Sequence, residues 1–353
     1  MEVSKERNNK VDFIRGIAII LVICGHSIGL VMNGDPLNIE LGQRIHEIIY
    51  TFHMPLFFII YGYLEKASCH SNSKAKLSSL VVKNIISLYI PFLFLNYLYW
   101  FERLLANKLL DITLGQPLRQ SAKEIIELFY ISDGASWFLL SLLLIKLLFE
   151  ILHRNVPEFI ILIVFSVLFW LGFLMPGTIT EFLGWGMFYC IGYLISEYEL
   201  DIQGGGARRL ISVLCINIVA IGFVFLKNFG LNFIVKFLIG IPIFMLLMFW
   251  LPETSKERVI SFCGKYSMVV YMMHGFSNYV CYVVLSKFIS IPYIHLLLTI
   301  SLQILIAYLV FWLYSNVKWL HWIQFIFYPY KFIEKNRHYR NVEKRAGNGK
   351  FSR

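Results

Sequence analysis

The stretch DFIRGIAIILVICGHSIGLVM, residues 12–32, decides what kind of protein this is. From Phe13 onward it is apolar for long enough to cross hydrocarbon, which takes roughly 17–25 residues. Arg15 and His26 are set into it, and a second apolar run follows without a break. A cleaved signal peptide carries a shorter core, so this segment reads as a signal anchor.

Further apolar runs lie at 46–64, 85–101, 136–152, 158–174, 179–197, 210–226, 231–251, 266–285 and 294–314. The pattern predicts an all-α, polytopic integral membrane protein with about ten transmembrane helices. Composition agrees: 58% of residues are hydrophobic, 15% are charged, and the mean hydropathy is +0.66. Soluble domains carry about 25% charge, so this chain has too little polar surface to coat a globule in water. Its 31 Phe, 20 Tyr and 8 Trp suit a protein whose rings line both bilayer interfaces.

A net charge of +10 raises the question of nucleic acid, but its placement answers otherwise. With the N-terminus inside, the inner segments hold 23 of the 32 Lys and Arg, and the outer segments hold eight. That asymmetry predicts an even number of crossings with both termini cytoplasmic. The basic tail reads as a solvated segment touching anionic lipid headgroups, not as a nucleic-acid site. The organisation expected is a cytoplasmic N-terminus over 1–12, a transmembrane domain over 13–315 and a basic cytoplasmic tail over 316–353. In the outer loop 102–135, Leu118, Ala122, Ile125 and Phe129 fall at helical spacing, which predicts a helix lying on the membrane surface. Trp319–Tyr330 reads similarly on the inner side. The six cysteines lack zinc spacing and read as packing residues.

An ionisable group within a span is costly and is therefore a functional candidate. Asp12, Arg15, Ile19, Val22 and His26 share one helical face. Arg15 and His26 are separated by close to three turns, or ~16 Å of axial rise. The second span, running the other way, carries His53 within about one turn of the depth of His26, and Pro55 opens the helix beside it. His274 sits in the ninth span, somewhat nearer the inner face. Taken singly, each histidine reads as a neutral core residue. Two at one depth, with an arginine on the same stripe, point to chemistry. Three histidines without a paired i,i+4 pattern or a nearby carboxylate argue against a metal site, so no metal is expected.

These residues resemble the membrane-bound acyltransferase 3 family, in the branch of the sugar O-acetylases. Arg15-Gly16-Ile17-Ala18 followed by His26 is similar to the family's first-helix signature. Phe57-Phe58-Ile59-Ile60-Tyr61-Gly62-Tyr63-Leu64 resembles its second-helix motif, with Tyr61 where Ser is common. Ser136-Trp137-Phe138-Leu139 and Gly264-Lys265-Tyr266-Ser267, with Tyr271 and His274, resemble later elements.

The resemblance implies a multi-pass bacterial inner-membrane enzyme taking acyl groups, often acetyl, from cytoplasmic acyl-CoA. The acceptor implied is a hydroxyl of a cell-surface polysaccharide or of its lipid-linked precursor. The expected cofactor is none tightly bound, with acetyl-CoA or another acyl-CoA as donor. Arg15, Lys66, Lys74 and Lys76 would hold the donor's phosphates by charge. His26 would act as general base or as acyl carrier. Asp12 is placed to orient Arg15, while His53, Tyr61, Trp137 and His274 would line the cavity. Trp137 and Trp185, near the outer side, are candidates to stack on a sugar ring, with interface anchoring the preferred reading. Two rivals stand beside this reading: a transporter of a small solute or lipid-linked sugar, and a non-catalytic partner of polysaccharide assembly. The oligomeric state is left open, a homo-oligomer included.

Overall fold

The computed structural model describes residues 9–31, 36–72, 76–110, 121–132, 134–175, 179–197, 205–251 and 258–336. Among them the secondary structure is helical: α1 (Asn9–Val31), α2 (Pro36–Asn72), α3 (Leu77–Leu110), α4 (Ala122–Glu127), α5 (Trp137–Asn155), α6 (Glu158–Leu174) and α7 (Ile179–Gly184). Then come α8 (Gly186–Glu197), α9 (Gly205–Phe229), α10 (Phe233–Trp250), α11 (Arg258–Lys265), α12 (Ser267–Ser286), α13 (Pro292–Asn316) and α14 (Gln324–Phe327). In a bilayer each backbone N–H and C=O must be paired within its own segment, and helices do this.

Eight of these helices are long and apolar enough to cross a membrane: α1, α2, α3, α5, α9, α10, α12 and α13. The fifth apolar run forms the 17-residue α6. The sixth is broken at Trp185 into α7 and α8. The break is flanked by Gly184 and Gly186, and α6 packs into it. A Cβ on Gly184 would meet the Leu168 carbonyl at 3.3 Å, and one on Gly186 would run into the Phe165 ring.

The chain forms two compact units, residues 1–74 with 148–307 and residues 75–147 with 308–353. In the first, α2 runs unbroken through Pro55 and packs along α1, α8 and α10. Its contact with α8 is backbone on backbone. A Cβ on Gly62 would collide with the Tyr189 carbonyl, and one on Gly192 with the Ile59 carbonyl. The same device joins α1 to α11, where Gly16 faces the Ile260 carbonyl and Gly264 faces the Asp12 carbonyl. Small residues permit this approach where lipid supplies no hydrophobic drive for association. Gly240 of α10 similarly receives the ring of Pro55.

In the second unit α3 extends beyond the run that announced it, to Leu110. Within the outer loop a short helix, α4, is present, its start fixed by a Ser121–Glu124 capping box. Leu118 lies outside the described residues. The segment after α4 is tied to α3: Asn96 Nδ2 donates to the carbonyls of Leu128 and Ile131 at 2.8 and 3.0 Å, and Tyr89 donates to Phe129. Ser136 in turn donates to Asn96 Oδ1 at 2.5 Å. The Trp319–Tyr330 stretch forms a 3₁₀ segment, Lys318–Ile323, and then α14, with Trp319 and Trp322 exposed. Lys74 and the tail 337–353 lie outside the described residues.

Candidate active site

Helix α1 carries the two marks on which the sequence reading rests, and the structure gives them different surroundings. At the Arg15 end the guanidinium is largely buried. Its Nη1 donates to Asp12 Oδ1 at 3.4 Å, and its carbon stands 5.6 Å from the centroid of the Tyr61 ring. Tyr61 thus gives the arginine a π-face rather than a hydroxyl at the position where Ser is the commoner residue. Ile19 and Val22, next along the stripe, are fully packed.

At the other end His26 is half-buried as a residue, and its ring meets aromatic neighbours from two helices. His274 of α12 lies 5.3 Å away between centroids, and Tyr50 of α2 lies edge-on at 6.2 Å. Gly25 leaves the space Tyr50 occupies, since a Cβ there would meet its ring at 2.9 Å. Tyr50 is also edge-on to His53 at 4.6 Å and stacks on His46 at 3.9 Å. His53 therefore reaches His26 through Tyr50. His274 is nearer than counting turns suggested.

Two of these imidazoles have their protons placed by the backbone. His53 Nδ1 lies 2.8 Å from the Ile49 carbonyl, and His274 Nδ1 lies 2.5 Å from the Tyr271 carbonyl. A carbonyl only accepts, so each Nδ1 donates, and in a neutral ring Nε2 is left as an acceptor. Both residues are buried, while His26 as a whole residue is half-buried. Such a set can take up or hand on a proton at His26 and hold that ring in one orientation.

Beside His26 lies a polar contact that no span-by-span reading anticipates. Ser27 Oγ donates to Asn278 Oδ1 at 3.0 Å, and Gln303 Nε2 donates to both Ser27 Oγ and Asn278 Oδ1 at 2.9 and 3.0 Å. This buried triad joins α1, α12 and α13 one residue from His26 and one turn from His274.

Residues 8–316 match the acyltransferase domain of the Acyl_transf_3 family, which is most of the chain. The chain belongs to the acyltransferase 3 family. It is also similar to the nodulation protein NolL of Sinorhizobium fredii (strain NBRC 101917 / NGR234), at 37% identity over 91 residues. That match covers 26% of this chain and 24% of the relative. No solved structure matches. The chain thus spans about a quarter of the length of the curated relative it matches.

The remaining candidates fall in varied places. Lys66 donates to the carbonyls of Ser196 and Glu197 at 2.9 and 3.0 Å, so it satisfies the C-terminal end of α8. Lys76 is exposed and Trp137 half-buried, and both belong to the second unit. Trp185 is buried against Phe58, with rings stacked at 5.3 Å, which takes it out of contention as a sugar platform. Sequence reasoning passed over His46 and Tyr50, although His46, Tyr50 and His53 fall at i, i+4 and i+7 on one face of α2.

Proposed function

We propose that this acyltransferase 3 family member is a membrane O-acyltransferase, with acetyl as the group of first choice. In this reading it moves an acyl group from cytoplasmic acyl-CoA to a hydroxyl of a cell-surface polysaccharide or lipid-linked precursor. It does so as a multi-pass protein of a bacterial inner membrane with both termini inside. The observation that carries the reading is the His26 ring, 5.3 Å from His274, on the same helix as the ion-paired Arg15. A general base must be held by its neighbours, and His274 and Tyr50 flank the His26 ring.

In the reaction, His26 accepts the proton of the acceptor hydroxyl as the oxygen attacks the thioester carbonyl. The C–S bond breaks, and the proton passes from the imidazolium to the leaving thiolate. The products are an ester and free CoA, with no net proton change. His274 and His53 keep the ring oriented, and Tyr50 closes the space between them. Arg15, presented by Asp12 and Tyr61, binds a phosphate of the donor at the cytoplasmic mouth. Lys66, engaged with carbonyls, contributes by holding α8 in place. A carrier also suits buried histidines, but membership of an acyltransferase family favours transfer.

The test uses membranes bearing wild type, His26→Ala or Arg15→Ala at matched protein level, supplied with radiolabelled acetyl-CoA. Label should enter glycan with wild type and not with His26→Ala. Equal labelling by His26→Ala would make this histidine structural. A burst of CoA release without acceptor, stoichiometric with enzyme, would replace the base with an acyl-histidine carrier.

A further inference from the structure

Helix α13 carries a row of polar side chains that the mechanism above does not use. His295, Thr299 and Gln303 fall one turn apart on one face, ~6 Å of rise between neighbours. Each is sealed in the protein, at 5%, 0% and 1% exposure. Each also keeps a polar atom without a hydrogen-bond partner among the described residues: His295 Nε2, Thr299 Oγ1 and Gln303 Oε1. Such an atom within hydrocarbon costs free energy unless something pairs with it, so three in register are not packing by default.

The row has a direction. At its upper end the His295 ring lies flat on Tyr282 of α12, centroids 5.4 Å apart and planes at 7°, and Tyr282 is half-exposed. At its lower end Gln303 closes the triad with Ser27 and Asn278. On α12 the residues Tyr282, Asn278 and His274 descend one turn at a time beside it. A ladder of polar groups therefore leads from a partly open aromatic platform to the His26–His274 pair. The unfilled atoms are a ring nitrogen, a hydroxyl and an amide oxygen, a mixture that suits a partner able both to donate and to accept. That partner is a hydroxyl.

We propose that the His295–Thr299–Gln303 face is a hydroxyl-binding subsite that guides a saccharide acceptor to His26. This rests on the transferase reading and adds to it the path by which the acceptor arrives. Water and a sugar hydroxyl share this chemistry, and the experiment separates them.

Purified full-length protein in nanodiscs is given acetyl-CoA, and thiol release is followed while a decyl glycoside is titrated in as acceptor probe. Glucoside, galactoside and N-acetylglucosaminide forms are compared. Thr299→Val removes one hydroxyl at constant shape, and His295→Phe keeps the stack on Tyr282 while deleting the nitrogen. Each variant should need about fivefold more glycoside for half-maximal stimulation, the loss of one hydrogen bond. The unstimulated rate and the melting temperature should stay near wild type. Unchanged half-saturation in both variants would show a face that holds only water, and would overturn the subsite while leaving the transferase standing. Wild type that releases no thiol from acetyl-CoA or succinyl-CoA, with or without glycoside, would overturn both.

Discussion

The two ends of α1 are built on opposite plans. At the Arg15 end, Gly16 and Gly264 bring α1 and α11 into backbone contact, and the arginine is boxed in by Asp12 and Tyr61. At the His26 end, helices are joined by side-chain hydrogen bonds through Ser27, Asn278 and Gln303, and a Cβ on Gly29 would meet nothing within 4 Å. One end is fixed by steric exclusion, which tolerates no displacement. The other is fixed by directional bonds, which can be remade around a substrate. A donor with one constant charged handle suits the first. A proton-transfer site that must admit an acceptor suits the second.

Breaking the adjustable end at its centre should have the largest effect. His26→Ala is expected to lower transfer by about 10²–10⁴ at unchanged protein level, the span of a general base. Labelled-glycan counts retaining more than about a tenth of wild type would place the chemistry elsewhere. At the fixed end, Gly264→Leu drives a side chain into the Asp12 carbonyl and should cost ~1–3 kcal/mol or more through overpacking. The contrast is Gly29→Leu, expected to leave the melting temperature of detergent-purified protein nearly unchanged. A similar fall in both would erase the distinction between the ends.

Smaller effects sharpen the comparison. Arg15→Lys keeps the charge but loses the planar fork, and should raise KM for acyl-CoA about tenfold with kcat little changed. A fall confined to kcat would move Arg15 from donor binding to the reaction itself. Tyr61→Ser removes the π-face under Arg15, a loss of ~0.5–1 kcal/mol that should appear as a KM shift of about two- to fivefold. Tyr61→Phe keeps the ring and separates the two groups: a KM closer to wild type than that of the Ser variant assigns the effect to the π-face, and a Phe variant as weak as the Ser variant would assign it to the hydroxyl.

Much of this architecture is legible in the sequence because hydrocarbon imposes a length on every crossing. Each of the ten apolar runs became helix, and the boundaries of α6 fall where the 158–174 run begins and ends. The break at Trp185 was invisible to a count of apolar residues, since the glycines on either side are themselves neutral in hydropathy. Of the site, Arg15, His26, His53 and His274 stand out because ionisable groups in a span are rare. Ser27, Asn278 and Gln303 do not, being uncharged and 251 and 276 residues apart in the chain for the two bonds to Ser27. Lys66 shows the converse. Its charge suggested a phosphate; the structure also has it donating to carbonyls at the end of α8, and what lies at a helix end depends on packing.

The paired glycines between α2 and α8 also limit how this molecule can move. Gly62 admits the Tyr189 carbonyl and Gly192 admits the Ile59 carbonyl, so the two helices fit like a key cut at two points. Sliding either one by a residue would set a Cβ against a backbone oxygen at both notches. The pair must therefore travel as one piece through any working cycle, and whatever opens to let substrates in or out has to do so elsewhere than at this seam.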